Sequence, residues 1–250
     1  SRGLGDVYKR QDPDYYGNYI DIGSFVDHHI LVEFAKNVDG FLLSTFLYKE
    51  RSGKINMGPI WDYNGSLGGA DYICDWDPVG WLHEAHDEVC CTDWCCEIDS
   101  CWRYNSGPYA CPENGMPNHY NWYWRLFEDP EFLLAYADRW FELREELFAT
   151  AKMMADIDNN VNLLTDGGAP DNPVDRNYTR WNVLQDNLWP NYYDNCNSSG
   201  ATYDDYVNWL KSWLTDRLTW MDSAVAAQYG AAPPLFNQDG GQVSTGFSLT

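Results

Sequence analysis

The sequence predicts an α+β fold, mostly helical, with a β-hairpin near its start and a cysteine-rich loop insertion. Three observations carry this expectation. Long stretches near residues 24–36, 129–154 and 202–230 repeat apolar residues at helical spacing. Two runs rich in aliphatic and aromatic residues, Phe41–Lys49 and Lys54–Trp61, flank the turn Glu50–Gly53. Between residues 65 and 117, cysteines, glycines and prolines crowd together without clean periodicity.

Taken in order, Ser1–Gln11 (SRGLGDVYKRQ) differs in composition from the rest, resembles a translated sequencing-adapter read-through, and is set aside; a natural continuation upstream is expected. The folded domain is expected over residues 12–230. Ser24–Lys36 places Phe25, Val26, Ile30, Leu31 and Phe34 on one helical face, with Ser24 and Asp27 spaced as an N-terminal capping pair. His28 and His29 fall on adjacent faces of that helix and receive no role. The helix delivers the chain to Asn37–Gly40 (NVDG), a loop composition in which Asn37 is suited to a left-handed helix cap. The hairpin follows, with Lys49 and Lys54 as solubilising edge residues and Trp61 as a packing anchor.

Beyond the insertion, Asp129 before Pro130 opens a helix that the apolar pattern carries through Met154. Asn172 before Pro173 repeats that logic. The stretch Thr202–Gly230 sets Trp209, Trp213 and Trp220 beside Leu210, Leu214 and Leu218, a stripe that reads as core, and stops at Gly230. From Ala231 a proline-initiated linker leads into short alternating segments, read as the opening of a further extracellular β-sandwich module over 231–250.

With 44 % hydrophobic residues, including 13 Trp, 18 Tyr and 10 Phe, the chain has the apolar surface to fold. Its net charge of −22 argues against a nucleic-acid partner, because a phosphate backbone would be repelled. The same field favours a basic polypeptide or divalent cations. No apolar run reaches the roughly 18 residues of a membrane span. Eight cysteines, Cys74, Cys90, Cys91, Cys95, Cys96, Cys101, Cys111 and Cys196, are read as disulfide candidates in an oxidising compartment; zinc fits less well, since CCTDWCC lacks paired two-residue-spaced dyads and only His83, His86 and His119 lie nearby. Asp156, Asp158 and Asn160 begin like a calcium loop, but Val161 replaces its turn glycine and Gly167 its bidentate glutamate, so that reading is rejected. Asn177 and Asn197 stand in glycosylation sequons.

Pairing the two strands around Glu50–Gly53 returns Asp62 to the end of the ladder where Asp39 sits. Two carboxylates at one hairpin mouth admit phosphoryl transfer, in which one acid orients the acceptor hydroxyl and another holds a divalent metal. They also admit glycoside hydrolysis, or no chemistry at all as solvated loop acids. Residue types alone leave these open.

The ordered series Glu33, Asn37, Asp39, Gly40, Ser44, Tyr48, Lys49, Gly53, Lys54, Gly58, Pro59, Trp61, Asp62, Asn64, Leu67 and Gly68 resembles the core signature of the CotH kinase family, the spore coat protein H type of atypical protein kinase. The likeness is dense over residues 19–69 and looser to about residue 230. It implies the mostly helical, C-terminal lobe of a kinase-like fold found in secreted or surface proteins. It further implies transfer of the ATP γ-phosphate to Ser or Thr of a protein substrate, with Mg²⁺ (or Mn²⁺). Asp39 then matches the catalytic-loop acid and Asp62 the metal-binding acid. Asn64 matches a second polar metal position, and Asn37 a loop-positioning or second metal contact. The nucleotide-anchoring lobe of the family precedes the matched region, so the phosphate clamp is expected upstream. The cysteine-rich segment departs from the family pattern. A non-catalytic adhesin or scaffold on the same fold is the alternative.

Overall fold

The computed structural model describes residues 12–41, 43–70, 75–82, 123–184 and 201–229. All eight cysteines lie outside these residues, as do Ser1–Gln11, the linker from Ala231, His83, His86, His119 and the Asn197 sequon. The described part is mostly helical with one two-stranded antiparallel sheet, as expected. Its elements are α1 (Ile22–Ala35), β1 (Leu47–Lys49), β2 (Ile55–Met57), α2 (Tyr123–Phe127), α3 (Pro130–Glu145), α4 (Thr150–Leu164), α5 (Pro173–Arg180) and α6 (Tyr203–Tyr229).

α1 starts earlier than its sequence pattern implied. The cap is Asp21, whose carboxylate accepts the Ser24 N–H at 2.8 Å, while the Ser24 hydroxyl donates back to the Asp21 carbonyl at 2.8 Å. Asp21 precedes the apolar stripe, so it captures an orphan amide of the first turn. Asp27, the expected second member of the cap, instead accepts from Arg139 Nε of α3 at 2.7 Å. The helix ends at Lys36, whose φ of 46° makes it, and not Asn37, the left-handed residue.

The hairpin pairs Leu47 with Met57, Tyr48 with Asn56 and Lys49 with Ile55. It is shorter than the runs Phe41–Lys49 and Lys54–Trp61. On one side Leu43 N–H reaches the Asp39 carbonyl (2.9 Å) and Thr45 Oγ1 the Gly40 carbonyl (2.7 Å), which coils the approach to β1. On the other, Gly58 at φ 131° turns the chain and Pro59 has no N–H to add to a ladder. β2 is fixed to the start of α1: the Asp21 N–H donates to Ile55 O and the Ile55 N–H to Tyr19 O, each at 2.8 Å.

α1, α3 and α6 pack on one another around the main core. Phe25 and Ile30 of α1 meet Tyr136 and Trp140 of α3 and Leu218 and Met221 of α6, all essentially excluded from solvent. The tryptophan stripe is core as expected, with Trp213 buried and Trp209 and Trp220 packed against its edge. Trp81 and Leu82 are buried as well, so residues 66–70 and 75–82 belong to the domain and not to a peripheral insertion. The expected helix 130–154 is broken at Glu146–Ala149. The break lets Phe148 stack on Phe34 (ring centroids 4.4 Å) and lets Arg144 bond the Phe148 carbonyl, contacts that a straight helix would forgo. Asn172 caps α5 as expected, accepting the Asp175 N–H at 2.9 Å. Asp156 and Asp158 lie on α4 and bond Lys152 and Lys211, consistent with rejecting a calcium loop.

Both histidines are buried against tyrosines: His28 Nδ1 is 3.0 Å from the Tyr123 hydroxyl and His29 Nδ1 3.2 Å from that of Tyr136. Burial pushes the His28 imidazole from 6.5 down to about 4. Between those values the unfolded chain binds a proton that the folded chain refuses. Stability from His28 is therefore complete above pH 6.5, falls by up to about 3 kcal/mol as pH drops toward 4, and then levels off. Urea unfolding across this range should show a steeper acid loss for the native protein than for His28→Gln; equal slopes would contradict the burial argument.

Candidate functional site

The site is built where two loops are laced together. The first leaves α1 through Lys36 and runs through Asn37, Val38, Asp39 and Gly40; the second leaves β2 and carries Asp62, Tyr63 and Asn64. Val38 N–H donates to the Gly65 carbonyl at 3.2 Å and Leu67 N–H to the Ala35 carbonyl at 2.7 Å. Gly40 is required by close approach, since a Cβ there would stand 2.6 Å from Val32 Cγ1. Asp62 itself is left-handed, φ 62°, a conformation Asp tolerates better than most side chains.

Asp39 and Asp62 thus meet, as the hairpin topology required. The ladder alone does not do it: pairing stops at Leu47 and Met57, and the loop-to-loop bonds carry the chain the rest of the way. Asp39 is half-buried and Asp62 exposed. Burial first, and the Asp62 charge second, raise the Asp39 carboxyl above the ordinary carboxylate range. Ser44 Oγ points to Asp62 Oδ2 at 3.5 Å. Asn37 lies between the two acids, with Oδ1 accepting the Asp39 N–H and Nδ2 donating to the Asp62 carbonyl, each at 3.2 Å. Asn64, exposed, follows on the same loop.

This donor set is all oxygen: two carboxylates with a hydroxyl and an amide close in the chain. It fits Mg²⁺, which takes one or two carboxylates and leaves its other positions to water and phosphate. Among the described residues no cluster of three His, Cys, Asp or Glu side chains forms a protein-only metal cage. Asp62 would hold the ion only together with oxygens from elsewhere.

The sequence profile of the family described as CotH kinase protein matches residues 2–221. The chain belongs to the CotH kinase family. No curated protein and no solved structure matches it. Membership of a kinase family implies, in general, ATP and a divalent metal. Among the described residues of this CotH family chain, no helix is long and apolar enough to cross a membrane.

Behind the acid pair lies a buried charge network that sequence reading missed. Glu33 is fully buried, as are Arg217 of α6 and Asp75, and Lys36 is 1 % exposed. Arg217 Nη2 donates to the Glu33 carbonyl at 2.5 Å and lies 3.4 Å from its carboxylate. Its Nη1 reaches the carbonyls of Pro78 (2.9 Å) and Gly80 (2.7 Å). Lys36 Nζ holds those of Asp77 (2.7 Å) and Val79 (3.0 Å), and Glu33 accepts the Leu82 N–H at 2.7 Å. Residues 77–82 are therefore clamped from both helices. Burial pushes Lys36 down to about 8, reinforced by the Arg217 charge, and lifts Asp75 to about 7 against the pull of backbone N–H groups at Ala70 and Gly68 and of both cations.

Trp61 is not the packing anchor its size implied. It is 58 % exposed and meets Phe46 edge to face, ring centroids 6.1 Å apart. Lys49 and Lys54 are exposed at the hairpin turn, as expected of edge residues. The Tyr63 phenol, pushed up to about 12 by burial and drawn back by the Asn37 side chain, is a further site-lining group without a signal in the sequence.

Proposed function

We propose that this chain is the catalytic part of a secreted or surface protein kinase that transfers the γ-phosphate of ATP to Ser or Thr. The observation carrying the reading is the placement of Asp39 beside Asp62, with Asn37 bonded to both. Asp39 orients the acceptor hydroxyl and takes its proton; its raised affinity for a proton suits that task. The hydroxyl oxygen bonds to the γ-phosphorus, the bond to the β–γ bridging oxygen breaks, and ADP leaves with that electron pair. Mg²⁺ (or Mn²⁺) on Asp62, with Asn64 as a second contact, would neutralise the phosphate charge that develops. The net charge of −22 supports a basic, Ser-rich acceptor. Eight cysteines support an oxidising compartment, with disulfides among them.

The second reading, a non-catalytic adhesin or scaffold, draws on the exposed apolar side chains of Phe46, Leu47, Tyr48, Ile60 and Trp61 beside the acids. This chain alone, without the nucleotide-anchoring lobe expected upstream, should be inactive. The two readings are therefore separated by incubating the protein with its upstream coding region restored, ATP and a basic Ser-rich polypeptide with Mg²⁺ or with EDTA, followed by mass spectrometry. The kinase reading expects Mg²⁺-dependent phosphoserine from native protein, none from Asp62→Ala, and a kcat about 10²–10⁴-fold lower for Asp39→Asn. Transfer that survives Asp62→Ala would overturn it. No phosphate from folded native protein would favour the binding module.

A further inference from the structure

We infer that Asn37 is a positioning residue that locks the Asp39 loop to the Asp62 loop through both atoms of its side-chain amide, and is not a metal ligand. The inference rests on the kinase reading for its consequence, though not for its geometry. Asn37 is 1 % exposed. Its Oδ1 is occupied by the Asp39 N–H and its Nδ2 by the Asp62 carbonyl. The assignment of oxygen and nitrogen is forced, because an N–H can only donate and a carbonyl can only accept. The amide oxygen, the atom a metal would want, is thus turned toward a backbone N–H inside the protein.

What the brace accomplishes follows from its surroundings. The two loops are already tied outside it, at Val38 to Gly65 and at Ala35 to Leu67. Those bonds set the loops side by side but leave the acid-bearing peptides themselves unjoined. Asn37 is the tie between the Asp39 peptide and the Asp62 peptide. Asp62 needs such a hold, since it sits left-handed on an exposed loop. Gly40, against Val32, closes off sliding from the other side. A shift of about 1 Å between reacting groups is enough to lower a rate about 100-fold.

The donor and acceptor roles make the nearest isostere a harsh variant. In Asn37→Asp the group facing the Asp62 carbonyl is a carboxylate oxygen, which cannot donate when ionised. The tie to the Asp62 carbonyl should therefore be lost as in Asn37→Ala despite the conserved shape, while the Asp39 N–H keeps its acceptor.

The test uses hydrogen exchange and Mn²⁺ as probes, so that it does not rely on turnover. In native protein the Asp39 amide should exchange slowly; exchange at the rate of an unstructured amide overturns the inference without any variant. Asn37→Ala should speed exchange at Asp39 at least about 10-fold, with α3 amides unchanged, whereas Asn37→Asp, whose carboxylate still accepts that N–H, should leave Asp39 exchange near native. Mn²⁺ affinity should weaken by about 10–100-fold, as for other residues that orient ligands, and vanish in Asp62→Ala. With turnover measured, kcat should fall while KM for the acceptor stays put. Native-like exchange in Asn37→Ala, or native-like Mn²⁺ affinity in Asn37→Asp, sinks the brace. Complete loss of Mn²⁺ binding in Asn37→Ala with unchanged Asp39 exchange would make Asn37 a ligand after all. If native protein binds no Mn²⁺ and transfers no phosphate, the kinase reading fails, and the exchange data still decide the brace.

Discussion

Arg217→Leu should destabilise the fold by about 3–5 kcal/mol, the range for removing one partner of a buried ion pair. The guanidinium is fully buried, and its Nη atoms reach the carbonyls of Glu33, Pro78 and Gly80 as well as the Glu33 carboxylate. Leucine fills part of the volume but returns none of those donors. Three carbonyls and a carboxylate would then depend on whatever water can enter. The change also removes the cation 4.8 Å over the Trp220 ring. Urea unfolding measures the loss; a drop below about 1 kcal/mol would mean the network is neutral in balance. The double variant Glu33→Gln with Arg217→Leu should lose less than the sum of its parts, because the first change removes the charge that the second leaves behind.

Gly68→Ala is the second large effect, about 2–4 kcal/mol from left-handed strain plus overpacking. Gly68 has φ 77°, and a Cβ there would stand 2.3 Å from Trp209 Cη2 and 2.7 Å from both Trp213 Cδ1 and Nε1. Either ring would have to move, and Trp213 is held by its Nε1 donating to the Asp75 carbonyl at 3.2 Å. Gly167→Ala is the control: φ is 62° but nothing lies within 4 Å, so only the strain of about 1–2 kcal/mol remains. Thermal unfolding should separate the two variants, with shifted tryptophan fluorescence in Gly68→Ala alone. Equal losses would show that the tryptophans yield freely.

The parts legible in the sequence are those set by neighbours in the chain. Asn172 and Asp129 announce their helices because a cap bonds residues two or three positions ahead. The hairpin turn at Glu50–Gly53 follows from strand pairing about one centre, which also sends Asp39 and Asp62 to the same end of the hairpin. Legibility fails where a partner is distant. The break after Glu145 owes its place to Phe34, which nothing between residues 130 and 154 reveals. Glu33 and Arg217 each resemble surface charges on a helix until packing puts them face to face. Trp61 misleads in the opposite direction, since a large ring gives no sign of whether anything stands ready to cover it. At the site, the two acids could be picked out, whereas the two hydrogen bonds of Asn37 could not: they depend on the handedness of Lys36 and Asp62, two residues whose types do not demand it.

The clamp between α1 and α6 also fixes an order of events in time. Asp39 and Asp62 leave the ribosome well ahead of α6, since Glu33 and Arg217 are 184 residues apart. At about 5–20 residues per second, that interval takes about 10–40 s to translate. Throughout it, Glu33 and Lys36 have no α6 to close over them, and the neighbouring apolar face of α1 stays wet. The nascent chain therefore carries its acids well before it can hold them, and α6, emerging much later, is the helix that completes α1.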